Sequence, residues 1–170
     1  MTRTLLTAVF VASSLLATTA LAQSGSSQTY KLKQDAPSTG TSIVRTLVTS
    51  SLPLDRPYAE LSEEHKASLR SLYVDMPRDD QPPFPLKGLG VLYDNIRKGA
   101  GAFRATGQLS LLVLVGADGE ASQVEILLAP DPDFGRFAAS IAMLTKYKPG
   151  VCSGQPCAME FPVRGEFGKR

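Results

Sequence analysis

The side chains with chemical potential in this 170-residue chain are few and scattered. There is a single histidine, His65, with Glu63 and Glu64 just before it. An imidazole beside carboxylates is the raw material of acid–base chemistry. Here the histidine falls on the apolar side of an amphipathic pattern, near Leu61 and Leu69, and adjacent glutamates project elsewhere around a helix. The pattern predicts a packed or boundary histidine. Asp79-Asp80 offers two adjacent carboxylates, too few for a calcium loop, and predicts a solvated turn. Asp131 and Asp133 flank a proline at the start of a helical pattern, where carboxylates cap backbone N–H groups. No serine sits in a nucleophile-elbow motif. Gly99-Ala100-Gly101 lacks the lysine spacing and the preceding strand of a phosphate loop. Arg97, Lys98 and Arg104 make a small basic cluster, read as solvated surface. No catalytic residue, metal site or cofactor is expected.

Cys152 and Cys157 are the only cysteines. Their C-x-x-x-x-C spacing is not the C-x-x-C of a redox exchanger. Gly154 and Pro156 between them favour a tight turn. A disulfide is the expected state in an oxidising compartment. Its closed six-residue loop is worth about 2 kcal/mol on the chain-entropy account.

That compartment is indicated by residues 1–22. Arg3 provides a positive start, Leu5 to Leu16 an apolar stretch, and Ala20-Leu21-Ala22 the small residues of a cleavage site before Gln23. The segment reads as a secretory signal peptide. It is too interrupted by Ser13, Ser14, Thr18 and Thr19 for a good span. The expected location is the periplasm, with no stable membrane span after cleavage. Eighteen basic and sixteen acidic residues leave a formal charge of +2, no basis for a nucleic-acid partner. A hydrophobic fraction of 43% suffices for a packed core.

Elements must then be found to hold these residues. Residues 23–57 read as a flexible leader, because Gln23 to Ser42 is too polar to offset its ordering entropy. Within it Ile43 to Val48 is a short β-branched patch that reads as a strand for a sheet edge. Residues 58–106 read as a helical accessory region. Ser62 caps a helix over Leu61 to Val74, with Leu61, His65, Leu69, Leu72, Tyr73 and Met76 on one face and Pro77 as its stop. The prolines of Asp79 to Pro85 exclude helix and inner strand. Leu89, Leu92, Tyr93 and Ile96 predict a second helix over Gly88 to Lys98, with Gly99 as its C-cap.

Residues 107–170 change period. Leu109 to Val115 and Ala121 to Leu128 form a hairpin around the turn Gly116-Ala117-Asp118-Gly119. A helix comes next, with Asp131 as N-cap and Pro132 at its first position. Phe134, Phe137, Ala138, Ile141 and Leu144 form its expected buried stripe. Ala158 to Val163 is the last strand, with Met159, Phe161 and Val163 on one face. Pro162 assigns it to an edge. The predicted class is α+β: a three-stranded antiparallel β-β-α-β sheet with one packed helix, preceded by two amphipathic helices. The predicted spatial order is second, first, third strand.

The run from Gly107 through Ile126, then Lys146-Tyr147-Lys148-Pro149, Gly154-Gln155-Pro156 and Met159 to Val163, resembles the TonB C-terminal-like domains. These show a glycine, an apolar strand, an Asp-Gly turn and a Val-rich strand, then an aromatic-x-Pro, a Gly-x-Pro and a final apolar strand. The resemblance covers about 60 residues, Gly107 to Phe167. It implies a non-enzymatic periplasmic fold whose last strand receives a peptide by β-augmentation. Carried to this chain, the receiving edge is Ala158, Met159, Glu160, Phe161, Pro162 and Val163, beside the Cys152–Cys157 loop. The partner would be an envelope protein or peptide, and a homodimer through the strand edge is also allowed. Energy transducers of this kind need an uncleaved anchor and a long Pro-rich spacer, whereas residues 23–57 hold only Pro37, Pro53 and Pro57. The reading is therefore a soluble interaction module. The alternatives are a periplasmic inhibitor or immunity-type protein, a TonB-type energy transducer and a small envelope hydrolase.

Overall fold

The computed structural model describes residues 30–33 and 52–168. The segment expected to be a signal peptide, most of the expected leader and the expected strand Ile43 to Val48 lie outside these residues. Among the described residues no helix is long and apolar enough to cross a membrane.

The first helix, α1, spans Glu63–Arg70. The Ser62 hydroxyl oxygen caps it by accepting the His65 N–H at 3.3 Å. It stops well short of Pro77. The reason lies just beyond Arg70: the Leu72 carbonyl accepts from the Lys33 N–H, and the Val74 N–H donates to the Lys31 carbonyl, both at 2.9 Å. Strand-like pairing with Tyr30–Lys33 takes the backbone groups that the further turn to Val74 would need. Those four residues, assigned by composition to a flexible leader, are thus bound to the body, with Leu32 opposite Tyr73.

A two-residue strand, β1 (Phe84–Pro85), leads into the second helix, α2 (Leu89–Phe103). The prolines predict no inner strand here, and the segment makes only this shortest of ribbons. The helix runs past Gly99 and ends at Arg104, whose backbone takes the left-handed conformation at φ 52°. Gly99 is not a cap because its missing side chain serves packing. A Cβ there would lie 2.5 Å from Cδ1 and 2.9 Å from Cζ of Phe137, and closer still to Cε1.

The hairpin forms as its pattern predicts, with β2 at Gly107–Val115 and β3 at Ala121–Leu128. The Gly119 N–H closes the turn on the Gly116 carbonyl at 3.0 Å, and Asp118 Oδ1 accepts from the Glu120 N–H at 3.0 Å. Helix α3 spans Pro132–Leu144, capped by Asp131 Oδ1 on the Phe134 N–H at 2.8 Å. Its buried stripe is Phe134, Gly135, Ala138 and Ala142. Phe137 and Ile141 are half-buried, and Leu144 is 77% exposed, contrary to the expected stripe. Leu144 is six residues past Ala138, which places it on the far side of a 3.6-residue helix.

Four strands complete the chain: β4 (Tyr147–Lys148), β5 (Gly150–Cys152), β6 (Gln155–Cys157) and β7 (Met159–Phe167). The main sheet is antiparallel in the order β3-β2-β7, as predicted, while β1 pairs with β4 and β5 with β6. The last strand runs four residues past Val163, because pairing with β2 continues to Gly107 opposite Phe167. Leu111, Val113 and Val115 of β2 and Phe161 and Val163 of β7 join Phe134, Ala138 and Ala142 of α3 in the core. Leu92 and Ile96 of α2, Phe84, and Tyr58, Leu61 and Leu69 belong to the same cluster. One continuous core therefore draws on residues from both sides of position 106. The class is α+β.

Candidate binding edge

Among the described residues the sheet ends on one side at β7. Its inner-face residues Met159, Phe161 and Val163 are buried, while Glu160 and Pro162 are half-buried and Ala158 precedes the strand. Phe161 is fixed edge-on to Phe84, with ring centroids 6.2 Å apart, and tilted against Tyr147 at 5.8 Å. These side chains hold the strand in place and are not available to a guest. What the edge offers is backbone.

Backbone direction follows from Pro162. It lies opposite Leu112 of β2. A prolyl nitrogen has no hydrogen to donate, so this is a non-hydrogen-bonded pair, and the backbone groups of Pro162 face away from β2. Alternation then turns Glu160, Arg164 and Glu166 outward as well, and Arg164 is itself engaged. In agreement, the outward Glu160 carbonyl accepts from the Tyr73 hydroxyl at 2.7 Å. Within Ala158 to Val163, then, one carbonyl is already occupied and one N–H is missing.

Tyr73 reaches that carbonyl because three segments meet beneath it. Tyr73, Cys152, Cys157 and Met159 form a second buried cluster, with Tyr30, Leu32, Leu72 and Met76 packed against it. Burial raises the Tyr73 phenol far above its ordinary value, so it stays a donor. Cys152 and Cys157 are joined by the expected disulfide, with Cα atoms 5.8 Å apart across the β5–β6 hairpin. At the hairpin tip Ser153 and Gly154 both take positive φ, 50° and 81°, which suits a two-residue turn.

Asp80 corrects the expected solvated turn. Asp79 is exposed, but Asp80 is 3% exposed. Its Oδ1 accepts from the Ser153 N–H at 2.8 Å and its Oδ2 from the Tyr30 hydroxyl at 2.5 Å. That second bond, with the nearby charge, raises the Tyr30 phenol. One buried carboxylate thus pins the disulfide hairpin and the N-terminal ribbon together. Two adjacent aspartates carry no local signal of this, since both partners are more than 45 positions away.

Lys148 is a second side chain that spacing did not single out. Its ammonium donates to the Pro82 carbonyl at 3.2 Å and the Pro149 carbonyl at 2.9 Å, and sits 4.6 Å from the Tyr58 ring centroid. Burial lowers its pKa to about 8. Three favourable contacts satisfy its three donors, so it acts as a strut between β4 and the proline segment.

The remaining candidates are placed apart. His65 is half-buried, and its Nδ1 has no hydrogen-bond partner among the described residues. Glu63 pairs instead with Lys66 at 3.0 Å, which holds its carboxyl below the usual range. Asp133 pairs with Arg136 on the surface of α3, and Arg97 with Asp94 at 2.7 Å on α2. Among the described residues no group of three or more His, Cys, Asp and Glu could hold a metal ion. No family model matches the chain, and no curated protein matches it significantly.

Proposed function

We propose that this chain is a non-enzymatic, exported interaction module that takes up an extended segment of an envelope protein alongside β7. One observation carries the reading: among the described residues β7 stands at the end of the three-stranded sheet. Backbone bonding supplies affinity in such pairing, and neighbouring side chains supply selectivity. The surroundings suit a reversible guest. Glu160, Pro162, Arg164 and Glu166 line this side of the strand, and polar rims accompany exchangeable partners more than permanent ones. The disulfide hairpin and Tyr73 brace the start of the strand, so the guest would align from Pro162 onward. A disulfide-joined hairpin is compatible with a periplasmic location, and the signal-peptide pattern supports it.

The test must leave Phe161 and Val163 intact, because charging these buried side chains would disrupt the core. A photo-crosslinking residue at Pro162, activated in intact cells, should capture a defined envelope protein. The same residue at Asp94, on exposed α2, should not. Glu166→Pro removes an outward N–H without breaking the ladder to β2, and should abolish capture at Pro162. Equal capture from both positions, or capture indifferent to Glu166→Pro, would refute strand addition at this edge.

A further inference from the structure

Two structures compete for the backbone just after α1. Leu69, Leu72, Tyr73 and Met76 keep helical spacing beyond Arg70, yet the helix stops there. Its continuation is half made. The Leu72 N–H donates to the Leu69 carbonyl at 3.2 Å and the Tyr73 N–H to the Arg70 carbonyl at 3.0 Å, bonds of the tighter 3₁₀ type. Asp75 takes the left-handed conformation, φ 51°. That is the conformation that closes a helix when it falls just past the last turn, so a helix ending at Val74 finds its terminator already in place. What withholds the turn is the ribbon, which takes the Val74 N–H onto Lys31 and puts the Lys33 N–H on Leu72.

The ribbon is the lighter structure. Lys31 and Lys33 are exposed, and Tyr30 and Leu32 are only half-buried. Neither Tyr30 nor Leu32 belongs to the main core; both pack on the smaller cluster of Tyr73, Cys152, Cys157 and Met159. Segments placed this way open well below the cost of global unfolding. Opening would leave the Val74 N–H without its partner, and the nearest replacement is the Arg70 carbonyl, four residues back. Tyr73 would then turn onto the helix face of Leu69. In the docked arrangement its hydroxyl covers the outward Glu160 carbonyl of β7 at 2.7 Å.

We infer that Tyr30–Lys33 is an autoinhibitory strap that trades places with a last turn of α1. Docked, it holds Tyr73 as a plug over the Glu160 carbonyl; released, it lets the helix extend to Val74 and uncovers that carbonyl for a guest strand. The regulatory role rests on β7 as the receiving edge, while the exchange itself rests on contacts within this chain.

Two variants of the exported chain set the strap. Tyr30→Phe with Leu32→Ser loosens it. Lys31→Cys with Val74→Cys, exposed positions opposite one another across the ribbon, locks it when oxidised. In the unaltered chain the Lys33 and Val74 amides should exchange together, about tenfold or more faster than that of Val113 in β2. Carbon-13 shifts of Leu72, Tyr73 and Val74 should move to helical values in the loosened chain. The Glu160 carbonyl shift should lose its hydrogen-bond contribution there, and the locked chain should show neither change. Photo-crosslinking from Pro162 should rise about tenfold in the loosened chain and in Tyr73→Phe. It should fall in the locked chain and recover on reduction. Residues 72–74 that stay non-helical once the Lys33 amide is unprotected would overturn the inference. So would a helix that forms with Glu160 still covered, or capture equal in loosened and locked chains. A helix that forms and frees Glu160 while no variant captures anything would uphold the exchange and refute β7 as the receiving edge.

Discussion

Replacing Gly99 by alanine sets two effects of known size against each other. Glycine in a helix interior costs about 1 kcal/mol relative to alanine, so propensity alone predicts a gain. Packing predicts the reverse. The added methyl would lie 2.5 Å from Phe137 Cδ1 and 2.9 Å from Cζ, where ordinary contact begins near 3.4 Å. The ring must withdraw, yet it is held against Phe103 with centroids 5.7 Å apart. Overfilling of this kind costs about 1–3 kcal/mol. We expect a net loss of about 1 kcal/mol, roughly 4 °C in the melting temperature of a domain this size. Gly101 supplies the control, because it lies in the same helix with nothing within 4 Å of its would-be Cβ. Gly101→Ala should raise stability by about 0.5–1 kcal/mol. Urea denaturation of Gly99→Ala, Phe137→Ala and the double variant would isolate the contact. The double variant should be more stable than the sum of the singles predicts by about 1 kcal/mol. A Gly99→Ala protein stabilised as much as Gly101→Ala, or strictly additive singles, would refute the packing of α2 against Phe137.

Three further outcomes rest on contacts described above. Asp80→Ala should cost about 2–4 kcal/mol in denaturant unfolding, because it strands the Ser153 N–H and the Tyr30 hydroxyl; a loss within experimental error would contradict the clamp. Removing the disulfide by Cys152→Ser with Cys157→Ser should cost about 2 kcal/mol, and hydrogen exchange should quicken first at the hairpin and at Leu72 to Val74, whereas uniform loss would argue against local bracing. Stability should also depend on alkaline pH. Lys148 has a folded pKa of about 8 against an ordinary 10.5, so the unfolded chain binds more protons between these values and stability rises as pH climbs through them. Solvent screening of this partly exposed amine limits the gain to about 1 kcal/mol. The buried Tyr58, Tyr73 and Tyr147 phenols are raised above 10.0, so the unfolded chain loses those protons first and stability turns down above pH 10. Urea midpoints from pH 7 to pH 11 should show this maximum, and Lys148→Met should remove its rising limb.

Features with short-range causes were legible in the residues alone. Ser62 and Asp131 cap helices because a hydroxyl or carboxylate oxygen reaches an N–H three residues on. The β2–β3 hairpin follows from alternation around a four-residue turn. The Cys152–Cys157 loop follows from spacing and a glycine that tolerates positive φ. Pro162 placed its strand at an edge because a proline cannot serve an inner ladder. The order of the three strands came with it.

Tertiary structure alone decided where distant segments meet. Helix α1 ends at Arg70 because Tyr30–Lys33 competes for the backbone beyond it, and no local pattern encodes a partner some 40 positions away. Gly99 reads as a stop in sequence and is a packing hollow in space, since only Phe137 on another helix gives its missing Cβ a purpose. Asp80 became a buried clamp through Tyr30 and Ser153, and Lys148 a strut through Tyr58 and Pro82. Hydrogen bonds within a few residues are set by the chain's own geometry. Those across tens of residues depend on which surfaces the collapsed core brings into reach.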